Sequence, residues 1–192
     1  MQIIRKKFEK SIQTTSLWLE SPNFVEFVEF GDVVLTCLKS KGKLIFFGNG
    51  GSATEASHIA GEFVGKCVSD NGAFPALCLN DSPGLITAIA NDWNFDAIFT
   101  RQLQAHANSN DVVIGLSTSG SSRNVLNGLI EAKKLGCVTS LWTSSKFENR
   151  FEDEVNPDYI FIAPTEDTPR AQELHLQMGH ALAEYIESYE IK

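Results

Sequence analysis

Two short stretches decide the fold: KLIFFGNGGS at Lys43–Ser52 and DVVIGLSTSGSS at Asp111–Ser122. In each, a brief unbroken apolar run gives way to glycine and small hydroxyl residues. Runs apolar at every position suit strands buried on both faces, as in a parallel sheet. A helical pattern follows each loop, over about Ala53–Lys66 and Arg123–Leu135. Strand, small-residue loop and helix in that order place both loops at the carboxyl edge of the sheet, where open α/β folds bind ligands.

Working outward, Phe74–Leu79, Val138–Trp142 and Tyr159–Ala163 read as further strands. Asp81 or Ser82 caps a helix with Pro83 in its first turn. That helix and another after Asn94 run to about Ala107, and a last helix spans about Thr168–Tyr189. Met1 to about Ser40 reads as two helices interrupted by Pro22, with Gly31 weakening the second. The expected architecture is an α/β three-layer sandwich, flavodoxin-like or Rossmann-like. It has a five-stranded parallel sheet flanked by helices and an N-terminal helical arm. The arm, residues 1–40, is counted with residues 41–192 as one domain.

The chain has 192 residues, enough to bury a core without disulfides or metal staples. Its formal net charge is -8, which argues against nucleic acid or an anionic membrane surface as partner. An anionic ligand must then be caught by local structure. Cys37, Cys67, Cys78 and Cys137 are scattered with no CxxC pair, as expected in a reducing compartment. The start, MQIIRKKFEKSIQ, lacks the apolar stretch and cleavage site of a signal peptide. These features make the cytoplasm the default location.

A helix N-terminus offers free N–H groups and partial positive charge, so anions bind there without Lys or Arg. The first loop, GNGGSA at Gly48–Ala53, partly satisfies the dinucleotide pattern GxGxxG/A. That pattern wants an acidic residue ending the next strand. Asp70 lies before the second strand and Asp81 comes late, so a nicotinamide site is disfavoured. The second loop places the hydroxyls of Ser117, Thr118, Ser119, Ser121 and Ser122 around Gly120, a set able to wrap a terminal phosphate. The plainer reading is a polar turn with a serine cap.

His58 and Glu62 share a helix face at i, i+4, on the helix that begins at the ligand edge. Such a pair can hold a metal, exchange protons, or form a surface ion pair. The last helix carries Gln172, Glu173, His175 and His180, with Leu174, Met178 and Leu182 facing inward. His180 stands between Gly179 and Ala181, which leave room for close approach. His106 reads as a surface residue at a helix end.

With these residues in view, the chain resembles the sugar isomerase (SIS) domain family, in its phosphoheptose isomerase branch. The resemblance rests on the two-helix arm and four blocks: GNGGSATEASHIAGEFVGK at Gly48–Lys66, LITAIANDWNFDAIFTRQ at Leu85–Gln102, NDVVIGLSTSGSSRNVL at Asn110–Leu126 and TPRAQELHLQMGH at Thr168–His180. It implies that Ser117, Thr118, Ser119 and Ser122 hold a sugar phosphate. It also implies that Asn49, Gly50, Gly51, Ser52, Glu62, Asn91, Asp92 and Gln172 surround the sugar. By the same resemblance one zinc ion per subunit is bound by His58, Glu62, Gln172 and His180, with Glu62 and His180 as the acid–base residues. Lys66 stands where relatives often carry Arg, and Pro169 replaces a commoner Ala.

The implied reaction converts D-sedoheptulose 7-phosphate to D-glycero-D-manno-heptose 7-phosphate through an enediol. This aldose–ketose isomerisation would be the first step of activated heptose synthesis for lipopolysaccharide or another surface glycan. The implied assembly is a homotetramer with active sites at subunit contacts. Gln172 and His180 lie about 12 Å apart along a regular helix. Either Gln172 precedes the regular helix, or the site draws on two subunits. The rival reading is a non-catalytic SIS regulator or replication-initiator-associating protein; another sugar phosphate as substrate is a further rival.

Overall fold

The computed structural model describes residues 2–70, 72–147 and 156–189; the proposed start at Met1 and residues 190–192 of the proposed domain lie outside them. The elements run α1 (Gln2–Leu19), α2 (Pro22–Lys39), β1 (Leu44–Gly48), α3 (Gly51–Val64), β2 (Ala76–Cys78), α4 (Pro83–Asp92), α5 (Thr100–His106), β3 (Val112–Leu116), α6 (Arg123–Lys134), β4 (Val138–Ser144), β5 (Tyr159–Ala163) and α7 (Thr168–Glu187). The five strands form one sheet in the order β2-β1-β3-β4-β5, every pairing parallel. The expected α/β architecture is therefore present.

Alternation along the strands sorts the core into two layers. Leu44, Phe46, Val112, Ile114, Trp142 and Phe161 face α2, α3 and α7, where Phe27, Phe30, Val34, Ile59, Phe63, Leu174, Met178 and Leu182 are buried. Ile45, Phe47, Val113 and Leu141 face the other side, packing with Ile89, Phe99, Leu103, Val125 and Leu129. Gly31, a helix weakener by propensity, sits inside α2 because a Cβ there would meet the Tyr185 ring at 3.0 Å.

Several boundaries differ from the sequence reading. The helix expected after Asn94 is split into a 3-10 turn at Phe95–Ala97 and the short α5. The second strand is shorter than Phe74–Leu79: Leu44 pairs with Ala76, and the Phe74 amide turns away to Phe63 O at 2.9 Å. α3 starts earlier, at Gly51, and ends before Lys66. α7 begins at Thr168, so Gln172 lies within the regular helix and does not precede it.

The strand order changes direction between β1 and β3. The loops after these two strands, Gly48–Ser52 and Ser117–Ser122, thus flank the topological switch point, where a ligand crevice opens in such sheets.

Candidate active site

The first loop owes its shape to two glycines and two asparagines. Gly50 has φ +56°, a region open mainly to glycine. At Gly51 a Cβ would lie 2.2 Å from Gln172 Nε2, so its absence lets the Gln172 amide rest on the start of α3. Asn80 grips the Gly48 backbone on both sides: its Nδ2 donates to Gly48 O at 2.9 Å, and Gly48 N donates to its Oδ1 at 3.1 Å. The Asn49 and Asn124 side chains exchange two hydrogen bonds, each 2.8 Å. Asn124 is buried on α6, so this bond ties the first loop to the helix that follows the second. Ser52 is buried, while Gly50 and Gly51 are exposed.

In the second loop the serine hydroxyls converge. Ser117 Oγ donates to Ser122 Oγ at 3.0 Å and lies 3.4 Å from Ser119 Oγ, which also accepts from Ser121 Oγ at 3.1 Å. Ser122 occupies the N-cap of α6, yet its hydroxyl makes no cap bond. The plain cap reading therefore does not account for it. Thr118 contributes its carbonyl, which accepts from Ser144 Oγ at 2.6 Å. Gly120, at φ +65°, lies against the Phe147 ring, where a Cβ would approach within 2.3 Å.

α3 and α7 run side by side in the same direction, as their successive contacts show. Gly51 meets Gln172, Glu55 meets His175 at 4.0 Å, Ile59 meets Gly179 and His58 meets His180. Beyond the end of α3, the amides of Cys67, Val68 and Ser69 donate to the Glu187 carboxylate at 2.7–3.0 Å. Gly179 permits the close approach, since a Cβ there would stand 2.5 Å from Ile59 Cγ1.

This packing brings His58, Glu62 and His180 together. His58 Nε2 lies 2.9 Å from His180 Nε2 and 3.2 Å from Glu62 Oε1. One atom from each of the three lies within 4.8 Å of the others, a group able to hold a metal ion. Tetrahedral ligands at about 2.0–2.1 Å from zinc stand about 3.3 Å apart. The 2.9 and 3.2 Å separations from His58 are close to that spacing, and two histidines with a carboxylate are a donor set of catalytic zinc sites. Gln172 is about two turns before His180, its amide over Gly51. Asn91 and Asp92, exposed at the end of α4, bond each other at 2.9 Å; among the described residues no hydrogen bond joins them to the cluster.

The model of the SIS domain matches residues 10–144. The chain belongs to the SIS domain family. Among its relatives, the phosphoheptose isomerase of Thermodesulfovibrio yellowstonii is 43% identical over 96% of this chain and 90% of its own. That of Aquifex aeolicus is 36% identical over 97% and 96%. Of solved structures, the phosphoheptose isomerase of Neisseria gonorrhoeae is 30% identical with a TM-score of 0.86, covering 98% of both chains.

Within this SIS domain the sequence reading missed residues that only the fold brings to the site. Asn124, Asn80 and Ser144 brace the two loops from other elements. Cys67, read from the sequence only as one of four scattered cysteines, lies beside Glu62: burial and that carboxylate push its thiol up to about 11, so it stays protonated. Glu55 and His175 lie one turn from the cluster with no local signal to pair them. His106 is exposed at the end of α5, as expected.

Proposed function

We propose that the protein interconverts D-sedoheptulose 7-phosphate and D-glycero-D-manno-heptose 7-phosphate, an aldose–ketose isomerisation through an enediol. The observation that carries this reading is the convergence of His58, Glu62 and His180 at 2.9 and 3.2 Å, on helices that start at the loop-bearing edge of the sheet. The identity to phosphoheptose isomerases along almost the whole chain supports the same substrate. A sugar-phosphate-binding regulator has no need of such a proton-exchanging group, so the enzyme reading is favoured.

In this reading the hydroxyls of Ser117, Thr118, Ser119 and Ser122, with the N–H groups opening α6, hold the phosphate. Binding energy far from the reacting carbons then positions them. Asn49, Gly50, Gly51 and Ser52 form the opposite wall, and Asn91 and Asp92 close around the sugar. Glu62 removes the proton beside the carbonyl and returns it to the neighbouring carbon. His180 carries the proton that moves between the sugar oxygens. His58, Glu62 and His180 would hold zinc, with Gln172 as a further ligand; when bound, the ion polarises the sugar oxygens.

The assembly belongs to the same proposal. Ile4, Phe8 and Ile12 on α1 are each about two-thirds exposed, which supports a homotetramer built through the arm. Sites at the subunit contacts would let Gln172 serve a cluster that the helix rise separates from it. The free cysteines support a cytoplasmic setting, and no helix of the described residues is long and apolar enough to cross a membrane.

The test is turnover of sedoheptulose 7-phosphate by the purified protein, before and after chelation, with zinc restored, beside Glu62→Gln. Turnover lost in the variant and recovered by zinc in the native protein supports the reading. No turnover by zinc-loaded native protein overturns it, and turnover of another sugar phosphate would retain the isomerase and discard the heptose.

A further inference from the structure

Between the Gly51–Gln172 contact and the His58–His180 contact lies a pair that the mechanism above does not use. Glu55, in the first turns of α3, is 5% exposed, and among the described residues neither of its carboxylate oxygens lies in a well-formed hydrogen bond, the Ser52 hydroxyl being its nearest polar neighbour on α3. Opposite it on α7, His175 is 0% exposed, and its Nδ1 also lacks a partner. The two face each other at 4.0 Å.

The bond on the far side of the imidazole fixes its chemistry. His175 Nε2 lies 3.1 Å from the carbonyl oxygen of Thr143, which can only accept, so Nε2 carries the hydrogen. In the neutral ring Nδ1 is then a lone pair aimed at Glu55. An ionised carboxylate there would set acceptor against acceptor, out of water. A proton on the Glu55 carboxyl removes that opposition and sets a donor against the Nδ1 lone pair, a contact that closes from 4.0 Å to a hydrogen bond on a small approach of the two side chains.

The surroundings agree. Burial pushes the Glu55 carboxyl up to about 7, the Ser52 hydroxyl pulling the other way. Burial also drives His175 down to about 4, opposed by the Thr143 carbonyl. Strands β1, β3 and β4 bring no ionisable side chain, and β2 brings only the Cys78 thiol. On α3, His58 and Glu62 follow one and two turns along. α7 meets α1 and α2 on other turns, through Arg170 with Lys7 O and Tyr185 with Asp32.

We propose that Glu55 and His175 are positioning residues that share one proton and thereby lock α3 to α7, setting the spacing of His58 and Glu62 on one helix to His180 on the other. The lock reaches the sheet through Thr143 on β4. The proposal rests on the isomerase reading for its activity assay, and the first requirement is that the native protein turns over the sugar phosphate. Should it not, that reading fails, and the infrared measurement below still judges the pair.

Glu55→Gln keeps a donor for His175 Nδ1 at every pH, whereas Glu55→Leu removes it. The expected result is that Glu55→Leu lowers kcat about tenfold or more with KM little changed. Glu55→Gln should retain most of the turnover and lack the decline expected of the native enzyme as pH rises through about 7. Infrared difference spectra at pH 6 should show a protonated carboxylic acid in the native protein that Glu55→Gln lacks. Equal loss of kcat in both variants, an unchanged pH profile in Glu55→Gln, or no protonated acid would overturn the proposal. If Glu55→Leu does not fold, the Glu55→Gln profile and the spectra decide.

Discussion

The side-chain amides of Asn49 and Asn124 hydrogen-bond each other twice, at 2.8 Å each, joining the loop after the first strand to the helix after the third. Asn124 Oδ1 also accepts from Val125 N at 3.0 Å, which fixes which way the amide points. The crevice between the two loops therefore has a cross-brace at its base. Asn124→Ala leaves Asn49 without partners in a half-buried site, at a cost of about 1–3 kcal/mol. Urea unfolding should show that loss, and sugar phosphate binding should weaken with it.

The serine cluster makes a separable prediction. Ser117→Ala removes the hydroxyl that links Ser122 and Ser119, without touching the His58–Glu62–His180 group. A hydrogen bond to a charged phosphate contributes about 1.5–3 kcal/mol. KM should therefore rise about tenfold or more, with kcat much less affected. Steady-state kinetics across substrate concentration separates the two; a fall confined to kcat would remove the loop from phosphate binding.

Gly179→Ala tests the approach of the helices. The added methyl would stand 2.5 Å from Ile59 Cγ1, and overpacking of this kind costs about 1–3 kcal/mol. Activity should fall as His180 is carried away from His58. Adding Ile59→Ala should return part of both stability and turnover, so the pair should be clearly non-additive in a double-mutant cycle.

Stability against pH carries the signature of the buried pair. The Glu55 carboxyl is raised in the folded chain, so its contribution is present below about 4.5 and is lost as pH rises through about 7. His175 is lowered, so its contribution is present above about 6.5 and is lost as pH falls toward about 4. In the native protein the two slopes oppose each other between these limits. Glu55→Gln removes one of them. Its stability relative to native should therefore rise with pH from about 4.5 to about 7, as read from denaturant midpoints.

Glu187 acts in the opposite sense to Glu55. Desolvation alone would raise its carboxyl, but the amides of Ser69, Val68 and Cys67 outweigh that and hold it below its usual range. Its contribution is present at neutral pH and lost on acidification. Glu187→Gln should flatten the acid limb of stability and speed amide exchange at residues 67–69, measurable by hydrogen exchange.

Most of the fold could be read from the sequence because its signals are local. The run at Leu44–Phe47 is apolar at every position, and the Gly50 and Gly120 turns demand backbone that few residues accept. His58 and Glu62 could be paired from helix spacing alone. Asn124, Asn80 and Glu55 could not, because each acquires meaning from a partner 32 to 120 residues away. Even His175, noticed as one histidine of the last helix, gave no hint that it is the more buried of the two there. Gln172 shows the limit from the other side: its helix start was open in the sequence, and the fold places it inside α7.

Parallel, in-phase helices also constrain how this chain can change its length. One residue inserted between His175 and His180 would turn His180 by about 100° and advance it about 1.5 Å, off the face that meets α3. The same insertion in α3 between Glu55 and His58 would break the same contact from the other side. Gains and losses of residues should thus be confined to the connections between elements, while these two helices behave as a fixed ruler, graduated in turns, on which the proposed reacting groups are marked.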